Sequence, residues 1–215
     1  KFIFASSSSV YGEKAKIPFK ETYKIDSPPS LYGATKMASE LISYAYHHLH
    51  SLKTVGLRFF TVYGPWGRPD MACYKFADLI RKNRPVEIYN FGKMKRDFTY
   101  IDDIVSGVVS AIKYNFDFEI INLGDNKPEE LERLIFLLEK YFGKIKKKKY
   151  LPLQAGDVVA TWADIDKAKK LLNYHPAVSL EEGVKKFIAW YNNYYKIGYL
   201  ILQIFYFFGE FYIIF

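Results

Sequence analysis

Apolar residues fall along this chain in short blocks separated by longer stretches of helical spacing. Phe2-Ile3-Phe4-Ala5 runs into Ser6-Ser7-Ser8-Ser9. That is the pattern of a buried strand delivering a polar loop at its C-terminal end. Pro28-Pro29 breaks the chain, and Ser30 offers a helix N-cap. No proline follows until after His50, and Ala34, Met37, Ala38, Leu41, Ile42 and Ala45 recur at helical spacing. Residues 54–60 form another strand-like run. Strand, long helix, strand predicts a βαβ unit and a parallel sheet, hence an α/β fold of the doubly wound type. Further helices are predicted over 72–82, 101–114, 128–142, 166–172 and 180–195, and further strands over 86–89 and 118–122. No internal repeat or linker interrupts this order.

Composition narrows the class. Half of the 215 residues are apolar and a quarter charged, which fits a folded chain of one or two domains with a sizeable core. A single cysteine excludes an intrachain disulfide framework, and a reducing cytoplasmic setting is expected. Residue 1 is lysine, and a strand pattern begins at once, so the chain reads as an internal piece in which a leader would not be seen. The net charge is +8, with a lysine run at 146–149. Such a run is read as a solvated surface. No helix-turn-helix, zinc-finger or RNA-binding aromatic signature accompanies it, so no nucleic-acid partner is expected. Residues 197–215 carry one charge, Glu210, and eight aromatics. Their length is at the lower limit for a membrane span, and the aromatic content is unusual for a span centre. Membrane contact through this tail is the secondary expectation, behind a buried or foreign segment.

The chemistry-bearing group is Ser7, Tyr32 and Lys36. Tyr32 and Lys36 are four residues apart on one predicted helix and share a face. A phenol titrates near pH 10 and is a poor base at neutral pH. A nearby ammonium and a helix N-terminus both favour the phenolate. A hydroxyl at the end of the neighbouring strand can bond the same substrate oxygen, which gives a proton shuttle at a carbinol carbon. By itself Tyr-x-x-x-Lys is a common surface pairing. His47, His48 and His50 lack a carboxylate or thiol to complete a metal set. Asp102-Asp103 suits an acidic helix start, Cys73 a buried position, and Arg58 an ion pair at a strand end.

The context of the pair is more specific. Ala5 to Gly12 (ASSSSVYG), Tyr32-Gly33-Ala34-Thr35-Lys36 and Leu57 to Pro65 (LRFFTVYGP) resemble the extended short-chain dehydrogenase/reductase family, in particular its nucleotide-sugar epimerases and dehydratases. Arg96 to Asp103 (RDFTYIDD), Asn122-Leu123-Gly124 and Trp162-Ala163-Asp164 follow in the family's order, and the resemblance covers residues 1 to 195. Pro65 to Ala72 (PWGRPDMA) and Gln154 to Val158 (QAGDV) look like the UDP-glucuronate 4-epimerases within it.

The resemblance implies a role for each matching position. Ser7 is the hydroxyl partner, Tyr32 the base, and Lys36 the lysine that holds the nicotinamide ribose of NAD and lowers the tyrosine's pKa. Phe59 and Phe60 lie beside the nicotinamide. Thr61 touches the sugar or phosphates, Tyr89 the uracil, and Arg96 the diphosphate, a contact suited to guanidinium. Asp157, with Gln154 beside it, contacts the uridine ribose. Arg68 with Ser8 and Ser9 forms the hexuronate carboxylate pocket. The related 4,6-dehydratases carry Asp-Glu where Ser8 and Ser9 stand, and serines cannot do that acid–base work. The resemblance implies a dinucleotide-binding domain over 1–65 and 98–125, a nucleotide-sugar-binding domain over 66–97 and 126–196, and a homodimer through the helix of Tyr32. The family's Gly-x-x-Gly-x-x-Gly phosphate loop is not among these residues, so the chain by itself is expected to bind NAD poorly. An inactive remnant or binding module of the same fold is the alternative.

Overall fold

A computed structural model describes residues 1–12, 15–145, 147–153 and 158–207, the last eleven as backbone only. In chain order the elements are β1 (Phe2–Ser7), α1 (Leu31–His50), β2 (Thr54–Phe59), β3 (Thr61–Tyr63), α2 (Ala72–Arg81), β4 (Val86–Ile88), β5 (Lys95–Tyr100) and α3 (Ile101–Lys113). They continue with β6 (Phe118–Leu123), β7 (Pro128–Glu130), α4 (Leu131–Phe142), β8 (Lys148–Tyr150), β9 (Ala160–Thr161), α5 (Asp166–Leu172) and α6 (Leu180–Phe207).

The central sheet is parallel, in the order β1-β2-β6. Its middle strand is buried from Thr54 to Arg58, as a parallel strand covered on both faces must be. Arg58 bonds Glu40 of α1, so α1 lies on that face. Leu123 packs on Gly107 of α3, and its neighbour Asn122 points the other way. Helices therefore flank both faces, and the predicted doubly wound α/β class is observed. At Gly56, in the middle of β2, the tips of Phe4 and Ile120 close over the backbone, 2.6 and 2.7 Å from where a Cβ would lie.

Two cores form. One joins Val55, Leu57, Ile121 and Leu123 of the sheet to Ile104 of α3 and Ala168 and Leu172 of α5. The other joins Ile80 of α2, Leu134 and Leu138 of α4, and Val184 and Phe187 of α6. The boundary drawn from sequence grouped 126–196 together. The structure instead places α5 on the first core, where Lys167 Nζ also donates to Ile120 O at 2.9 Å. The helix predicted from residue 128 starts three residues later. Pro128–Glu130 extends as β7 and pairs antiparallel with β5, Arg96 opposite Glu129. No helix among the described residues is long and apolar enough to cross a membrane.

Candidate functional site

The C-terminal ends of β1, β2 and β6 define one rim, with Ser7, Phe59 and Leu123 in register. β1 ends in a 3-10 turn over Ser8–Val10, capped by Ser7, whose Oγ accepts from Ser9 N at 3.2 Å. Ser30 caps α1 by accepting from Gly33 N at 3.0 Å, which places Tyr32 in the first turn. Gly33 has no room for a side chain: a Cβ would sit 2.6 Å from Ser9 O. This close approach sets the first turn of α1 on the serine turn. Lys36 Nζ reaches across to Ala5 O at 2.9 Å and lies 5.7 Å from the centre of the Tyr32 ring. Tyr32 itself is 53% exposed. Lys36 and the first turn of α1, which carries Tyr32, thus lie against β1 and the serine turn that follows Ser7.

Ser8, Ser9, Thr61 and Arg96 line a cavity of 330 Å³ whose wall includes Ser30, the cap of α1. Thr61 and Arg96 are shared with a second cavity of 340 Å³, lined also by Tyr89, Met71 and Phe98. Thr61 and Arg96 thus stand between the serine turn and the cavity of Tyr89. Arg96 is held at its side, with Nη1 donating to Lys95 O at 2.9 Å. Its strand is fixed by the next residue. Asp97 is wholly buried, and its carboxylate accepts from the backbone N–H groups of Asp125 (2.6 Å), Asn126 (3.1 Å) and Ala163 (2.9 Å) and from Thr99 Oγ1 (3.0 Å). Burial pushes its pKa up, while these four donors pull against the shift.

Two of the expected site residues stand apart from these cavities. Arg68 is exposed, pairs with Asp70 at 3.0 Å and does not line the cavity of Ser8 and Ser9. Phe60 is turned into the core against Tyr11 and Phe19, so of the two phenylalanines only Phe59 keeps an open edge. Asp102 and Asp103 stand in the first turn of α3, as expected, and the Asp103 carboxylate also accepts from Ala177 N and Val178 N at 3.1 and 3.0 Å. Gln154 and Asp157 lie outside the described residues. Among the described residues no group of three or more His, Cys, Asp or Glu side chains is arranged to hold a metal ion.

The ion pair expected of Arg58 is present, and it belongs to a longer arrangement. Ser6, Arg58 and Asn122 form a buried polar row across the three central strands. Arg58 makes a two-pronged ion pair with Glu40, Nε to Oε1 at 2.8 Å and Nη2 to Oε2 at 2.7 Å. The signal for this row was a polar residue near the C-terminal end of each otherwise apolar strand.

Comparison with known proteins agrees with this geometry. The model of the NAD dependent epimerase/dehydratase family matches residues 1–124. The chain is 48% identical to the UDP-glucuronate 4-epimerase of Thermodesulfobacterium geofontis over 191 residues, which is 88% of this chain and 58% of that protein. An uncharacterised protein of Methanocaldococcus jannaschii is 55% identical over 191 residues, 89% of this chain and 59% of that one. The crystal structure of UDP-glucuronic acid 4-epimerase from Bacillus cereus with UDP-glucuronic acid and NAD superposes with a TM-score of 0.85 at 40% identity, covering 90% of this chain and 62% of that one. The chain therefore spans about three-fifths of the length of these relatives. With a family model that matches more than half of its residues, the chain belongs to the NAD dependent epimerase/dehydratase family.

Proposed function

We propose that this chain carries the proton-transfer and sugar-binding machinery of an NAD-dependent nucleotide-sugar 4-epimerase, with UDP-glucuronate and UDP-galacturonate as its pair of sugars. The observation that carries the reading is the cavity of the serine turn: Ser8, Ser9, Thr61 and Arg96 line it, and it abuts the helix cap below Tyr32. The relatives named for UDP-glucuronate epimerisation support the choice of sugar. Ser7 bonds the C4 oxygen, and Tyr32 takes and returns its proton. Lys36 supplies a positive charge beside the phenol and a donor for a ribose hydroxyl. NAD, when bound, supplies the hydride acceptor and donor at C4. Arg96 grips the diphosphate with charge-assisted bonds, and Tyr89 flanks the base. Gln154 and Asp157 are assigned to the uridine ribose on their motif. Serines at 8 and 9 provide hydroxyl contacts to the sugar and no acid for water loss, which disfavours dehydration. Arg68 is assigned to the hexuronate carboxylate on its motif.

The outward face of α1 supports a homodimer: Leu31, Leu41, Ile42 and Leu49 are 84%, 65%, 59% and 71% exposed. A second reading is an inactive binding module of the same fold. Two measurements separate them. Titration of the 215-residue chain with NAD is expected to show weak or no binding, and tight binding would overturn that expectation. The chain fused behind the uncovered part of its Thermodesulfobacterium relative is expected to convert UDP-glucuronate to UDP-galacturonate, followed by NMR of the product. Turnover of UDP-glucose with none of UDP-glucuronate would overturn the carboxylate assignment.

A further inference from the structure

We infer that Glu40 and Arg58 are positioning residues: their buried ion pair fixes where α1 sits along the sheet, and so places Tyr32 and Lys36 over the end of β1. The consequence for turnover rests on the epimerase reading above, whereas the geometry does not.

α1 is an unusual helix for its position. Its buried residues are Gly33, Glu40 and Ser43; of its larger side chains Met37 packs on the first core and Tyr44 meets Phe118 of β6, while Leu31, Leu41 and Leu49 are exposed. Large side chains thus supply only part of the ridge-and-groove contact that usually sets how one element sits on another. Two polar or close contacts supply the rest. At the N-terminal end Gly33 abuts Ser9. One turn beyond Lys36, Glu40 is held by Arg58 of β2 through both carboxylate oxygens and by Ser6 Oγ of β1. A fork-to-carboxylate pair fixes direction as well as distance, so the helix can neither slide nor roll without breaking it.

The same arginine reaches the serine turn. Its guanidinium lies 4.7 Å from the centre of the Tyr11 ring, and Tyr11 directly follows the Ser8–Val10 turn. Tyr11 Oη donates to Asn122 Oδ1 at 2.7 Å, and Asn122 Nδ2 donates to Phe19 O at 2.8 Å. One buried row therefore joins the helix of Tyr32, the turn of Ser8 and Ser9, and all three central strands. Stability does not call for such a row, because apolar side chains of similar size commonly serve as well in place of a buried ion pair. Placement of α1 is what apolar replacements would not supply.

The test replaces both members at once, Glu40→Met with Arg58→Met, so that no charge is left unpaired. The expected result is an unfolding midpoint at or above the wild type, with α1 displaced and the Lys36 Nζ–Ala5 O bond lost in a crystal structure of the 215-residue chain. In the active fusion, kcat falls about 100-fold, the scale of a 1 Å misplacement, while KM for the sugar stays within about twofold. A folded double variant with wild-type placement of Tyr32 and Lys36 overturns the inference, as does wild-type kcat. Should the double variant fail to fold, Arg58→Lys decides, since it keeps the charge and loses the fork. It is expected to shift α1 and lower kcat, and wild-type placement in it overturns the inference. A wild-type fusion without turnover refutes the epimerase reading, and the crystal structures still decide the role of the pair.

Discussion

Replacing Asp125 by asparagine should stabilise the chain at alkaline pH and leave it nearly unchanged in acid. Asp125 follows the rim residues Leu123 and Gly124, and its backbone N–H is one of the donors that hold Asp97 and, through it, the strand of Arg96. Its own side chain is poorly served. The carboxylate is buried, and Oδ1 has no hydrogen-bond partner. Burial pushes its pKa up to about 7, the charges of Asp97 and Asp103 push the same way, and Lys127 at 3.8 Å opposes them. A carboxyl whose pKa is raised on folding gives stability that is complete below its unfolded value near 4 and is lost as pH rises through the folded value. A rise of about three units corresponds to about 4 kcal/mol at full strength. Screening by Lys127 and by solvent at the open edge of the carboxylate reduces the expected difference to ~2 kcal/mol. Asparagine mimics the protonated form and does not titrate. Urea unfolding of wild type and Asp125→Asn at pH 5 and pH 8, followed by tryptophan fluorescence, reads this directly. The variant should gain ~2 kcal/mol more over wild type at pH 8 than at pH 5. Equal gains at both pH values would refute the reasoning.

Three other outcomes are expected. Gly33→Ala places a methyl 2.6 Å from Ser9 O and 3.0 Å from Pro28 Cβ. It should cost ~1–3 kcal/mol in a urea titration and lower turnover by pushing α1 off the serine turn. Arg96→Ala should weaken UDP binding, measured by calorimetry, by about 10- to 100-fold, the scale of one lost charge-assisted contact; unchanged affinity would remove Arg96 from the diphosphate site. Arg68→Ala should leave stability within ~0.5 kcal/mol, because its pair with Asp70 is exposed. In the active fusion it should weaken discrimination for the carboxylated sugar.

Much of the fold could be read from the chain because its strands announce themselves locally. Phe2–Ser7, Thr54–Phe59 and Phe118–Leu123 are apolar blocks between breakers, and each was located within a residue or two. The strands β5, β8 and β9 are short or polar, and their existence depends on partners distant in sequence, such as Arg96 opposite Thr161. Local pattern carries no such information. Pro128–Glu130 misled for the same reason: it precedes a strong helical repeat, and only its pairing with Lys95–Asp97 makes it a strand. The strand end that carries Ser7 and the helix start that carries Tyr32 and Lys36 were legible because both are local signals. Arg68 was assigned on a motif whose geometry depends on loop placement, and it stands apart from Ser8 and Ser9 here. The polar row that joins the expected ion pair of Arg58 to Ser6 and Asn122 gave no local sign beyond one polar residue near the end of each strand. It becomes visible only when parallel register places the three residues side by side.

The central claim is that the Tyr32 phenol moves the C4 proton of a nucleotide sugar. It is tested most directly by comparing the active fusion with its Tyr32→Phe variant, both given UDP-glucuronate and NAD, with conversion followed by proton NMR and UDP affinity measured alongside. The account predicts that the variant converts its sugar at least about 100-fold more slowly with UDP affinity unchanged. Inversion at wild-type speed in the variant would contradict it.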